Sequence, residues 1–339
     1  MNNHQNTLNE SQNGRIDVHH HIVPEEYVAK LKGIGITTSI GVKFPDWSPK
    51  KSLNIMKKNG ISKAITSIST PGVNIHDRAF SKDLARFCNE YSASLKADYP
   101  DKYDAFAALP LYETEDALKE MEYALDRLHL AGVGLLTNFN GIYLGDPKYD
   151  DLFAELDRRE VVVHIHPHDP PFGSIPNLKF PNALIEAPFD TTRAVANMIY
   201  NGTLDKYKKI KFILSHAGGA LPFLAWRVAL IEYQQTNKSL KFQALYDFLM
   251  TKRGPSAGLN AISQLYYDTT LAANPMALRS VQELVDTSHI LFGTDSGMGQ
   301  EWLTPIFIKA LKEYDGFNEQ DLASVESGNA NRLFPHFTD

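Results

Sequence analysis

One cysteine in 339 residues, Cys88, excludes a disulfide within the chain and any zinc site built from several thiolates. Its setting, ARFCNEYSASLKA, has helical spacing and reads as a small buried thiol rather than a nucleophile. Basic residues are also scarce: 34 Lys+Arg stand against 40 Asp+Glu, for a net charge of −6. That balance excludes the dense positive surface a general nucleic-acid binder needs, and equally a polybasic membrane-surface protein. Nor is there a clean apolar span. The most apolar window, 212–231, is long enough to cross a bilayer but holds His216, Pro222, Arg227 and a Gly pair. A buried strand running into a helix is the better reading. The first residues, MNNHQNTLNESQ, have neither the basic start nor the apolar core of a secretory signal. Residues 1–13 are expected to form a disordered polar tail, and the lone cysteine points to a reducing, cytoplasmic setting.

What the chain does have is alternation. Apolar, β-branched runs are expected as strands at 15–21, 64–69, 104–110, 133–139, 161–166, 211–216, 265–270 and 289–294. Helical periods follow at 48–59, 77–97, 113–130, 149–159, 191–201, 221–235, 275–286 and 301–314. Ser48-Pro49 and Asn274-Pro275 are start signals, a capping side chain before a proline at the first helical position. Eight βα units without a composition break predict an α/β fold, a single (β/α)8 TIM barrel over 14–339. A doubly wound open sheet is the alternative. A small insertion after the first strand, 33–47, is expected as a hairpin or lid, and a second, 237–264, separates the sixth helix from the seventh strand.

In such barrels chemistry sits at the C-terminal ends of the strands, and here those ends carry histidine and aspartate. The first ends Asp17-Val18-His19-His20-His21, the fifth His164-Ile165-His166-Pro167, the sixth Ser215-His216-Ala217-Gly218-Gly219 and the eighth Gly293-Thr294-Asp295. Strict alternation puts Asp17, His19 and His21 on one face and Ile16, Val18 and His20 on the other. His19 and His21 then lie roughly 6.6 Å apart along the strand, close enough for two imidazoles to share an ion. A lone histidine is usually structural, but four strand ends bearing such residues point to a metal site. His19, His21, His166 and Asp295 make a ligand set of three nitrogens and one carboxylate, which suits zinc and also accommodates manganese or iron. His166 at the rim is preferred over the deeper His164, which serves as a ligand or as a hydrogen-bonded support. His216 is a fifth ligand or an acid/base group, the glycines after it letting backbone approach the cavity.

At these residues the sequence resembles the amidohydrolase superfamily, in the branch containing aminocarboxymuconate-semialdehyde decarboxylase and the hydroxybenzoate decarboxylases. The likeness runs from Arg15 to Phe334 and rests on IDVHHHIVP at 16–24, HPHDPP at 166–171 and PFDTTRA at 188–194. LSHAGGALPFLAWR at 214–227, YYDTTLAANP at 266–275 and ILFGTD at 290–295 complete it. The resemblance implies His19, His21, His166 and Asp295 as ligands of one divalent ion and His216 as the acid/base histidine. It implies one metal rather than two because the fourth strand ends Thr137-Asn138-Phe139, with no lysine to carbamylate. Arg227, eleven residues after His216, matches an arginine that in relatives reaches a neighbouring subunit's site, which implies a homodimer and a bidentate contact to a substrate carboxylate. Surface pairing is the alternative for Arg227 and for Arg193, the second carboxylate-binding candidate. The chain departs from the branch after ILFGTD, continuing Ser296-Gly297-Met298-Gly299 in place of an aromatic and a proline.

The expected activity is therefore metal-dependent, non-oxidative decarboxylation of a small aromatic carboxylic acid of the hydroxybenzoate or 6-methylsalicylate type. His216 and Asp295 would handle the proton, and no organic cofactor is needed. Phe44, Trp47, Phe172 and Trp302, expected in mouth loops, favour a flat aromatic substrate. The alternative is a hydrolase of esters, lactones or amides using an activated water; a non-catalytic metal-binding barrel is the remaining reading.

Overall fold

The computed structural model describes residues 14–171, 179–230, 256–299 and 301–335; the tail at 1–13, Phe172 and most of the second insertion lie outside them. Eight strands follow one another round a single parallel sheet: β1 (Arg15–His21), β2 (Ile61–Ser67), β3 (Tyr103–Ala108), β4 (Gly132–Leu136), β5 (Val162–His166), β6 (Lys211–Leu214), β7 (Tyr266–Asp268) and β8 (Ile290–Leu291). The last strand region returns to the first, with Val18 N–H donating to Phe292 O (3.0 Å) and Asp295 N–H to His19 O (2.9 Å). That seam removes both sheet edges and makes the expected (β/α)8 barrel rather than an open doubly wound sheet.

The helices are α1 (Glu25–Gly33), α2 (Pro49–Lys58), α3 (Arg78–Asp98), α4 (Thr114–Glu122), α5 (Asp150–Arg158), α6 (Glu186–Tyr200), α7 (Thr203–Lys206), α8 (Leu221–Ala229), α9 (Ser256–Ser263), α10 (Pro275–Gln282), α11 (Thr304–Lys312), α12 (Glu319–Ala323) and α13 (Asn329–Leu333). Both Ser/Asn-Pro signals act as read. Ser48 accepts from Lys51 N–H, and Asn274 accepts from Met276 and Ala277 N–H. The apolar window at 212–231 divides into β6 and α8, and among the described residues no helix is long and apolar enough to cross a membrane. Helix α1 has no counterpart in the sequence reading. Its apolar side is thin, with only Tyr27 and Leu31 buried, so its period is faint. The insertion after it does form a hairpin, Thr38–Ser39 against Val42–Lys43.

The barrel interior has two layers. Ile16, Val18, Ile65, Phe106, Val162, Ile213 and Leu291 fill the lower one, and Ala330 and Phe334 at the chain's end plug it from below. Above this apolar floor the inward positions change to histidine. A larger apolar shell between the strands and the helices includes Phe153, Phe212, Leu214, Tyr267 and Phe292. A rigid base beneath a polar mouth is what allows several strand ends to present side chains at fixed positions.

Candidate metal centre

The faces of β1 differ from strict alternation. Its pairing with β2 runs Asp17 to Ala64 and His20 to Thr66, three steps on one strand against two on the other. This bulge lets Val18 and His19 both face the interior. Asp17 is therefore corrected to the outward side with His20. It accepts from His20 Nδ1 (3.0 Å), Thr294 N–H (3.1 Å) and His19 N–H (3.1 Å). His20 Nε2 meets Ser52 Oγ at 2.7 Å, and Tyr103 OH donates to the same oxygen. A buried polar network outside the barrel thus anchors the turn that aims His19 and His21 inward.

Inside, three histidines share one arrangement. His19 Nδ1 lies 2.8 Å from Asp268 Oδ2, His21 Nδ1 3.0 Å from Ser67 Oγ and His166 Nδ1 2.9 Å from Pro167 O. With each Nδ1–H given to an oxygen, each Nε2 keeps its lone pair for the interior. His19 and His21 Nε2 are 3.1 Å apart, and Asp295 Oδ1 is 3.0 Å from His21 Nε2 and 3.4 Å from His19 Nε2. Ligand atoms of His19, His166, His216 and Asp295 fall within 4.8 Å of one another. Lone pairs converging in this way repel unless a cation sits among them, so the donor set fits a divalent ion.

His216 and Asp295 are held by unusual backbone. Asp295 has φ +62°, and residues 216–219 all have positive φ. The loop after β6 leaves no room for a side chain at either glycine: a Cβ on Gly219 would lie 2.1 Å from Pro188 O, and one on Gly218 2.8 Å from the Tyr267 ring. Two of these left-handed residues are His216 and Ala217, strain that clusters where placement matters. His216 N–H donates to Asp268 Oδ1 at 2.9 Å, while its Nδ1 has no partner among the described residues.

Asp268, at the end of β7, is the residue sequence reasoning missed. One carboxylate oxygen takes the His19 imidazole and the other the backbone N–H groups of His216 and Thr270. The YYDTT segment did carry the signal, an acid ending an apolar strand, by the same logic that singled out Asp295. Burial pushes the carboxyls of Asp268 and Asp295 up, but the histidines more than reverse this and hold both below the usual range. Burial opposes charge on His19 too, yet Asp268 and Asp295 raise it to about 10. The site is an electrostatic well for a positive ion. Burial leaves His216 and His164 neutral, each lowered to about 4.

His164 sits one layer deeper, stacked on Phe106 with centroids 5.2 Å apart. Its Nε2 is 3.1 Å from Ser215 Oγ and 3.6 Å from Asp268. It groups with His19 and Asp268 rather than with Asp295.

The substrate-binding candidates disperse. Arg193 turns to the protein's own acids, Asp190 at 3.9 Å and Glu186 at 4.0 Å. Asp190 is fully buried and also takes hydrogen bonds from Thr137, Asn138 and Tyr143. Arg227 is exposed on α8 beside Phe223 and Trp226. Trp302 is 61% exposed. The Phe44 ring lies against Tyr27 of α1 and the Trp47 ring against Tyr91 of α3. Next to His166 the strand ends of β2 to β5 enclose a cavity of about 30 Å³.

A family model described as amidohydrolase matches residues 16–336. The 6-methylsalicylic acid decarboxylase of Penicillium expansum is 32% identical over 326 residues, covering 95% of this chain and 96% of its own length. Decarboxylase yanB of Aspergillus niger is also 32% identical, over 95% of this chain and 88% of its own. Among solved structures, an amidohydrolase II aligns with a TM-score of 0.83 at 30% identity, over 96% of this chain and all of the other.

Proposed function

Because this chain belongs to the amidohydrolase family, we propose that it is a metal-dependent decarboxylase of a small aromatic carboxylic acid of the hydroxybenzoate type. The close approach of His19 Nε2, His21 Nε2 and Asp295 Oδ1, and the grouping of ligand atoms of His19, His166, His216 and Asp295, support the metal, and full-length likeness to decarboxylases supports the reaction. His19, His21, His166 and Asp295 are the proposed ligands, with zinc the ion their chemistry suits best and manganese the second choice. A divalent ion held there would polarise the oxygens of the bound acid and withdraw charge from them.

The remaining work falls to the chain. In the reaction the ring carbon bearing the carboxylate takes a proton, the bond from that carbon to the carboxylate breaks, and its electron pair restores the aromatic ring as CO₂ leaves. His216 and Asp295 carry that proton. A neutral His216 is able to accept it from an acidic substrate hydroxyl and pass it on. Asp268 holds both His19 and the backbone of His216, so ligand and proton carrier keep one relative position. His164 supports this group from beneath, and Trp302 and Phe172 are the candidate aromatic walls.

The functional unit is proposed as a homodimer. Phe223 (85% exposed), Trp226 and Arg227 on α8 and Met276 (83% exposed) on the adjoining α10 form an apolar face, and Arg227 of a second copy would meet the substrate carboxylate. A cytoplasmic location is proposed from the single buried cysteine.

The test is incubation of zinc- and manganese-loaded protein with a panel of hydroxybenzoates while CO₂ and phenol are measured. Release of both from at least one acid is expected, with loss on His216→Ala. Turnover of an ester, lactone or amide and of no acid would replace the decarboxylase with a hydrolase.

A further inference from the structure

The segment PFDTTRA at 188–194 is part of the family likeness, yet its aspartate is not among the proposed ligands. Asp190 lies on α6, is fully buried, and accepts from Thr137 Oγ1, from Asn138 Nδ2 at 3.1 Å and from Tyr143 OH. Thr137 and Asn138 follow β4, whose Leu136 pairs with His166 of β5. Burying a carboxylate is costly unless its oxygens are satisfied, and one of the donors that satisfies Asp190 leads back to the metal centre.

The direction of each bond follows from what its atoms are able to do. Pro167 O only accepts, so its 2.9 Å contact with His166 Nδ1 places the imidazole proton there and leaves the lone pair on Nε2. That carbonyl shares one peptide unit with the N–H of His168, which donates to Thr137 Oγ1 at 2.9 Å. With the hydroxyl oxygen accepting from His168, its own proton goes to the Asp190 carboxylate. Thr137 N–H also donates to His166 O at 3.0 Å, which holds the peptide on the other side of Pro167. The donors therefore all point one way, from imidazole to peptide to hydroxyl to carboxylate, and dipoles aligned in this manner reinforce one another.

Resting on the assignment of His166 as a metal ligand, we propose that Asp190 is a positioning residue that acts on His166 through the Thr137 hydroxyl and the peptide joining Pro167 to His168. Asp268 does the same for His19 directly, at 2.8 Å. The carboxylate at the end of the relay draws each proton toward itself, which fixes the tautomer and ring orientation of His166 and strengthens Nε2 as a donor to a cation. A purely structural role, tying α6 to the end of β4, would cost stability when lost but would leave the tautomer and the metal affinity of the folded protein unchanged.

The experiment sets Thr137→Val, Thr137→Ser and Asp190→Asn in the full chain beside the parent, with thermal unfolding as the check on folding. Zinc affinity is measured against a competing chelator, and NMR of isotope-labelled histidine in the metal-free protein reads which nitrogen of His166 carries the proton. Thr137→Val keeps the side-chain shape and deletes the hydroxyl. It should weaken zinc binding at least about tenfold, the loss usual when the support of a metal-binding histidine is removed, and move the His166 proton toward Nε2. Thr137→Ser restores the hydroxyl and should return the affinity to within about threefold of the parent. Asp190→Asn keeps an acceptor for Thr137 but drops the charge, which about halves the strength of that bond; zinc binding about threefold weaker or more is expected, a reading that stands even where Thr137→Val does not fold. Zinc affinity within about twofold of the parent in either folded variant, Thr137→Val or Asp190→Asn, overturns the relay. If His166→Ala binds zinc as tightly as the parent, the ligand assignment fails and the tautomer decides: a proton that leaves Nδ1 in Thr137→Val supports the relay, and one that stays refutes it.

Discussion

Asp268→Asn changes one atom type at a carboxylate with no access to water, and its consequence is calculable. The native carboxylate accepts from His19 Nδ1 at 2.8 Å on one oxygen and from His216 and Thr270 N–H at 2.9 and 3.0 Å on the other. Asparagine keeps a carbonyl oxygen for the two backbone donors, so its NH₂ faces His19. Two outcomes follow, both unfavourable. Either two donors oppose each other, or His19 moves its proton to Nε2 and loses the lone pair that faces His21, His166 and Asp295. Removing a buried hydrogen bond to a charged group costs about 1.5–3 kcal/mol, and loss of a carboxylate that orients a metal-binding histidine costs about 10–100-fold in metal affinity, or about 1.4–2.8 kcal/mol. The two figures agree. The assay is zinc titration against a competing chelator, with thermal unfolding as the check on folding. A folded Asp268→Asn protein binding zinc within about twofold of the parent would refute the proposal that His19 ligates through an Nε2 freed by Asp268.

Three further outcomes test other parts of the structure. Gly219→Ala must fit a Cβ 2.1 Å from Pro188 O at φ +66°; it should lose more than about 2 kcal/mol in chemical denaturation, and near-parental stability would show the loop after β6 to be looser than described. Glu155 lies between Arg158 and Arg159, which hold its carboxyl down at about 2. A depressed folded value contributes stability above the unfolded value of about 4.3 that is lost as pH falls toward 2, so the Tm gap between parent and Glu155→Gln should shrink from about pH 5 to about pH 3. A gap that widens on acidification would reverse the sign. Cys88 is fully buried and burial raises its thiol far above the ordinary range; it should resist a maleimide in the native protein and react promptly in denaturant, and fast native labelling would place it at the surface.

The legible features were those whose signal is local. Each barrel strand is a short apolar run ended by a turn, and each boundary found from sequence lies within a few residues of the observed one. Caps at Ser48 and Asn274 accept the backbone donors that first-turn geometry demands. Helix α1 escaped because two buried residues do not make a period, and the face of Asp17 was misassigned because a bulge depends on how β1 registers against β2, a fact about two strands.

Residue type and order by themselves determined the fold class and the candidate donors: with no thiolates to use, a metal must fall to histidines and carboxylates at strand ends, and those ends are countable along the chain. Only the closed barrel decided which of them meet. His19 and Asp268 are 249 residues apart in sequence yet 2.8 Å apart in space, and the same closure separates the depths of His164 and His166 and shapes the apolar cavity beside them. The physical reason is range. Propensity, alternation and capping act over a few residues, whereas the direction of a lone pair or the volume of a cavity depends on strands brought together from the whole length of the chain.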